Sequence, residues 1–153
     1  MKERNKMTRK RKLLFGALCF ATLLWTAFIF SRSLKTVGES AAESDAAASF
    51  LNRLLGSLHL SEYAVRKMAH FAEYLILALP AAWGALQLLR YRLAGAVALG
   101  YALLVAVCDE FVVQMIFGRG SRVSDVLIDF GGAFCGALCV MGAMWLVRKS
   151  RSC

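Results

Sequence analysis

Four stretches of the chain are almost continuously apolar, and the polar residues crowd into the gaps between them. The first runs from Leu13 to Phe30, about eighteen residues, near the lower limit for crossing a hydrocarbon core of ~30 Å. The second extends from about Ala64 to Leu89 with Pro80 inside it; membrane helices tolerate proline, so a kink is expected and not a break. Leu93 to about Ile116 makes the third and Asp125 to Val147 the fourth. Between the first two lies a polar opening with Ser31, Arg32, Ser33, Lys35, Glu39, Ser40, Glu43, Ser44 and Asp45. Ala47, Phe50, Leu51, Leu54, Leu55 and Leu58 then recur at helical spacing opposite Ser49, Asn52 and Arg53. That pattern predicts an amphipathic helix lying in the membrane interface, ended or bent at Gly56. The fold class expected is therefore all-α: a polytopic bundle with transmembrane helices at about 13–30, 64–89, 93–116 and 125–147, plus one interfacial helix.

Composition supports this reading. The 153 residues are 59% hydrophobic with a single proline, where soluble domains sit near 45–50% apolar. Residues 1–153 are read as one domain, with no linker or solenoid repeat. A basic stretch before the first apolar run also suits a signal peptide. That run is long for such a segment and no cleavage site follows promptly, so an uncleaved helix is expected.

Charge fixes a topology. Lys2, Arg4, Lys6, Arg9, Lys10, Arg11 and Lys12 precede the first span, Arg90 and Arg92 fill the short second connection, and Arg148, Lys149 and Arg151 follow the last. With both termini inside, twelve of the nineteen basic residues lie there, beside one acid, Glu3. The positive-inside rule thus places both termini in the cytoplasm, with 31–63 and 117–124 outside. The net charge of +9 is a topological signal here, and no nucleic-acid partner is expected. Cys19, Cys108, Cys135 and Cys139 lie in apolar runs and Cys153 in the basic tail, so they read as small buried hydrophobes and not as disulfides or zinc ligands.

The chemistry lies in charges set within the spans. Arg66, Lys67, Glu73 and Tyr74 all fall within about 60° of His70 on the second span. Asp109 and Glu110 sit near the outer end of the third. Asp125 and Asp129 open the fourth, on the same stripe as Gly132 and Gly136, whose small size lets neighbouring helices approach. His70, Glu73, Asp109, Glu110 and Asp129 all lie roughly 5–10 Å below the outer interface. Each such charge costs about 2.5–3.5 kcal/mol at a helix centre and less near the interface, so their shared depth argues convergence. Two readings stay open. The acids and the bases Arg66, Lys67, Arg119 and Arg122 form a salt-bridge network that locks the bundle, or they line a polar pocket in which His70 moves a proton. His70, Glu73, Asp109 and Asp125 could also ligate a metal, but no ligand spacing marks them, and no cofactor is expected.

These residues carry a resemblance. Lys67-Met-Ala-His70-Phe71-Ala-Glu73-Tyr74 resembles the K-x-x-H-F-x-E-Y motif of the VanZ-like membrane proteins. Asp109-Glu110, Arg119, Asp125, Asp129 and Gly132 are similar to that family's second block, and Phe30-Ser31-Arg32-Ser33 with Ser40 to its serine-containing first loop. The likeness spans about residues 20–145. Two departures stand out: Val113 where the family has Gln, with Gln114 one residue later, and Phe117 where a proline commonly precedes Gly-Arg. The resemblance implies a small bacterial membrane protein from a family named for a member associated with low-level teicoplanin resistance.

The function expected is an outer-leaflet polar pocket serving the cell envelope or glycopeptide resistance by binding or modifying a lipid-linked component. His70, Glu73, Asp109 and Glu110 are the candidate catalytic residues; Lys67, Arg119, Asp125 and Asp129 are the candidate binding residues. The alternative is a non-catalytic interaction protein. A transporter or proton-coupled carrier is a third reading, disfavoured for a monomer by four short helices without inverted-repeat symmetry. Expected partners are membrane lipids and a lipid-linked cell-wall precursor; the expected location is the cell membrane.

Overall fold

The computed structural model describes residues 8–35, 37–55, 61–113 and 122–150. They form five helices and no strand: α1 (Arg9–Ser33), α2 (Val37–Leu55), α3 (Glu62–Leu88), α4 (Tyr91–Val107) and α5 (Val123–Ser150), with a π-helical turn, Cys108–Val113, continuing α4. Four segments, Arg9–Ser33, Glu62–Leu88, Tyr91–Phe111 and Val123–Ser150, are long and apolar enough to cross a membrane. The protein is an all-α membrane helix bundle, as the four apolar runs require.

The helix ends extend past the apolar runs. Thr8 caps α1, its hydroxyl accepting from the Arg11 amide, so helix begins among the basic residues before Leu13. It continues to Ser33, making Ser31, Arg32 and Ser33 a last helical turn where a loop was expected. Ser61 caps α3 by accepting from the Ala64 amide. Pro80 sits within an unbroken α3. Leu89 and Arg90 alone join α3 to α4, which forces those two helices to run side by side and antiparallel.

Packing is inside-out relative to a soluble protein. Phe20, Leu23, Leu24, Leu104, Leu127 and Leu146 are exposed, each at 60% or more, whereas the buried seams are made of small residues. Ala94, Ala98, Ala102 and Ala106 recur every fourth position of α4 and are all essentially inaccessible. Without a hydrophobic driving force between helices in lipid, close backbone approach supplies the attraction, and small side chains permit it. The closest approach is between α3 and α5. A Cβ on Gly132 would run into the Phe71 carbonyl group, and one on Gly136 into that of Leu75. Ile29, Tyr74, Leu77, Val105 and Val126 fill the core around these seams. Polar bonds clip the length of helix α1 to α3 and α4: Trp25 Nε1 donates to the Glu73 carbonyl at 2.8 Å, Thr26 Oγ1 lies 2.8 Å from the Tyr101 hydroxyl, and Arg11 Nη2 donates to the Gln87 carbonyl at 2.7 Å.

Two expectations are corrected. Helix α2 starts at Val37, ten residues before the apolar pattern, and it meets the bundle through Ser44, Ala48 and Leu51. Only that start differs from expectation: Phe50 and Leu54 are 65% and 70% exposed, so the large apolar residues of its stripe turn from the bundle, as those of an amphipathic helix at a membrane surface do. No described cysteine is buried; Cys135 and Cys139 lie on the exposed face of α5. A thiol is apolar enough to face hydrocarbon and needs no core. Gly56, Leu58 and Cys153 lie outside the described residues.

Candidate polar site at one end of the bundle

The antiparallel order brings four helix ends together: the last turn of α1, the first turns of α3, the π-turn after α4, and the first turns of α5. Lys67, His70, Glu73, Tyr74, Asp109, Glu110, Asp125 and Asp129 are all on these ends. At the centre are Asp109, Glu110 and Asp129, each 0–1% exposed, and Tyr74, fully buried beside them. Ordinary α-winding points successive side chains about 100° apart. The wider π-turn brings the directions of Asp109 and Glu110 closer, and both face the interior. Such turns concentrate at functional positions.

His70 reaches this centre from α3, its Nδ1 3.2 Å from Asp129 Oδ1. The Ser33 hydroxyl bonds the Asp109 carboxylate, and Glu110 accepts from the backbone amide of Arg122. Several buried atoms have no well-directed hydrogen bond: His70 Nδ1, Tyr74 Oη, Asp109 Oδ1 and both Asp129 carboxylate oxygens. Buried polar groups of native proteins are nearly always satisfied. A cluster of orphans at one level is therefore a place suited to water, a proton in transit or a ligand's polar group.

A rim of ion pairs surrounds the centre. Arg32 Nε lies 3.3 Å from Glu73 Oε1, and its Nη1 bonds Glu43 Oε2 at 2.9 Å. Lys35 also pairs with Glu43. Lys67 pairs with Asp125, which further accepts from Ser124 Oγ at 3.0 Å. The Lys35 hydrogen bond, aided by the Arg32 charge, holds the Glu43 carboxyl below its usual range. That tether is thus present above the ordinary glutamate pKa and is lost only as pH falls through the lowered value. Glu43→Gln, which removes the charge that both Arg32 and Lys35 hold, should loosen α2 while leaving the four long helices in place. The cost should be small, since solvent screens so exposed a pair. Faster amide exchange confined to α2 is the expected reading.

Of the candidate residues, His70, Glu73, Asp109, Glu110, Lys67, Asp125 and Asp129 come together at this one end. Arg119 lies outside the described residues, as do Gln114 and Phe117. Arg66 does not join the centre: its guanidinium pairs with Glu62 one turn away on α3, at 2.9 Å. The sequence reading gave no role to Arg32 and Ser33, which enter through the extra turn of α1, or to the Tyr74 hydroxyl. Tyr74 follows His70 by four residues, and that spacing already set it on the polar face of α3; only its burial among the carboxylates gives the hydroxyl a part. Among the described residues, no group of three or more His, Cys, Asp or Glu side chains has the geometry to hold a metal ion.

No curated protein and no solved structure matches the chain. The model of the VanZ/LLP1 family matches residues 18–147, which covers the greater part of each of the four apolar helices and the polar end described above. The chain therefore belongs to the VanZ/LLP1 family, as a membrane helix bundle with its ionisable residues gathered at one end.

Proposed function

We propose that the polar end binds a lipid-linked or other cell-envelope component and handles a proton on it, and that this underlies tolerance of glycopeptides such as teicoplanin. The observation that carries the reading is the His70–Asp129 pair. Nδ1 is buried against a carboxylate with no exposure of its own, while a fifth of the imidazole stays accessible. A carboxylate placed so fixes the ring's orientation and supports its charged form, leaving the other nitrogen to exchange a proton with a bound molecule. Glu73, Asp109 and Glu110 position that pair. Lys67 and Arg119 orient an anionic group, Lys67 by exchanging Asp125 for the ligand. In this reading the protein sits in the cell membrane with both termini cytoplasmic and the polar end towards the outer leaflet, in keeping with the distribution of basic residues.

A structural network is the second reading, favoured by the ion pairs that join α1 to α3 and α3 to α5. The two separate in a glycopeptide-susceptible bacterium expressing His70→Ala, Glu73→Ala and Arg119→Ala, with membrane abundance measured beside drug sensitivity. The proposal expects full-length protein at undiminished abundance and lost protection. Loss of protection only in step with loss of protein would leave the network reading. Full-length protein in nanodiscs that captures no lipid-linked precursor would remove the binding proposal.

A further inference from the structure

At the other end of the bundle, α1, α3 and α4 enclose an apolar groove of about 390 Å³, lined by residues including Phe15, Cys19, Pro80, Ala85, Leu88 and Val97. Small residues on α3 and α4 (Ala81, Gly84, Ala85, Ala98) leave the depression. The polar atoms at its inner limit are turned away from it: Thr22 Oγ1 bonds the Leu18 carbonyl at 2.8 Å, and the Tyr101 hydroxyl faces Thr26. From Pro80 to Leu89 the groove spans about 13 Å of helix, close to half of a ~30 Å hydrocarbon core. It therefore has the length and polarity of one lipid chain from one leaflet.

The open end of the groove is basic. Leu88 and Leu89 line it directly before Arg90, and Phe15 lies one turn from Arg11 and Lys12. Among the described residues none of the ion pairs involves Arg9, Lys10, Arg11, Lys12, Arg90 or Arg92, and every described acid belongs to the opposite end. Cations that no carboxylate neutralises at a membrane surface attract anionic head groups. We propose that the groove is a lipid site, separate from the polar end: it seats one acyl chain of an anionic phospholipid whose phosphate rests against Arg90, Arg92 and the first turn of α1.

Full-length protein released from nanodiscs of mixed phosphatidylglycerol and phosphatidylcholine, weighed by native mass spectrometry, tests this. Wild type should retain phosphatidylglycerol in preference. Ala85→Phe fills the groove without changing charge and should cut retained lipid of both kinds. Val97→Trp, on an exposed position of α4, does the same should Ala85→Phe not fold. Arg90→Gln with Arg92→Gln should keep chain occupancy but lose the anionic preference, by about fivefold per arginine. Equal retention of the two lipids by wild type, or undiminished phosphatidylglycerol on either groove-filling variant, would overturn the site.

Discussion

Gly132→Ala should cost the protein most of its folded yield. The added methyl would stand 2.9 Å from the Phe71 carbonyl carbon and closer still to its oxygen. The obstacle is helix backbone, which cannot swing aside like a side chain, so α3 and α5 must separate. Overpacking typically costs about 1–3 kcal/mol, and a collision with backbone belongs at or beyond the top of that range. Set against a total stability on the order of 5–15 kcal/mol, that is a large share. The same separation acts on the site, because Phe71 follows His70 and Gly132 lies one turn from Asp129. Gly136→Ala should behave alike, with the Leu75 carbonyl carbon and the Ala78 methyl each 3.1 Å away. Gly100→Ala and Gly142→Ala are the controls. Nothing lies within 4 Å of their added carbons, and helix propensity favours alanine by up to ~1 kcal/mol. Thermal unfolding in detergent, followed by size-exclusion chromatography, should rank the four variants in that order. Gly132→Ala unfolding together with the controls would show that the α3–α5 contact is not close.

The second large effect is expected at Asp129, and it depends on the replacement. Asp129→Ala removes the fully buried partner of the His70 pair and opens a void, which should destabilise by up to about 3–5 kcal/mol. Asp129→Asn keeps the shape and a hydrogen-bonding atom beside His70 but removes the charge that supports an imidazolium. It should give normal amounts of protein with little or no protection against glycopeptide. His70→Gln should match it. An Asp129→Asn protein that protects as well as wild type would end the proton-handling proposal and leave a packing role for the pair.

The gross fold was legible because a bilayer imposes length. Four apolar runs of span length admit few alternatives, and the described helices overlap all four. The α3–α5 contact was legible too, since Gly132 and Gly136 share a stripe with Asp125 and Asp129. Details that depend on neighbours were not. Glu39, Ser40, Glu43 and Asp45 look like a loop by polarity, but alternation with alanines lets them wind as helix, and Arg32 and Lys35 receive Glu43. The face that α2 presents to the bundle is set by tight packing of Ala48, and Ala48 is less conspicuous in the sequence than Phe50 or Leu54. Arg66 and Lys67 are adjacent cations on one polar face, yet one serves its own helix and the other reaches α5. No single-helix projection distinguishes them. The alanine repeat of α4 was in plain view at four-residue spacing, but alanine is read as filler until its neighbours show how close they come.

The π-turn at Cys108–Val113 has one more consequence. A turn closed by i→i+5 bonds holds one residue more than its ordinary counterpart, so this stretch of chain carries a spare. Deleting a single residue there, at Val112 for example, would let the helix close into regular α-winding without shortening its contacts elsewhere. One of the two adjacent acids would then swing out towards lipid. Substitutions test what each carboxylate does; a one-codon deletion would test whether the protein needs them side by side.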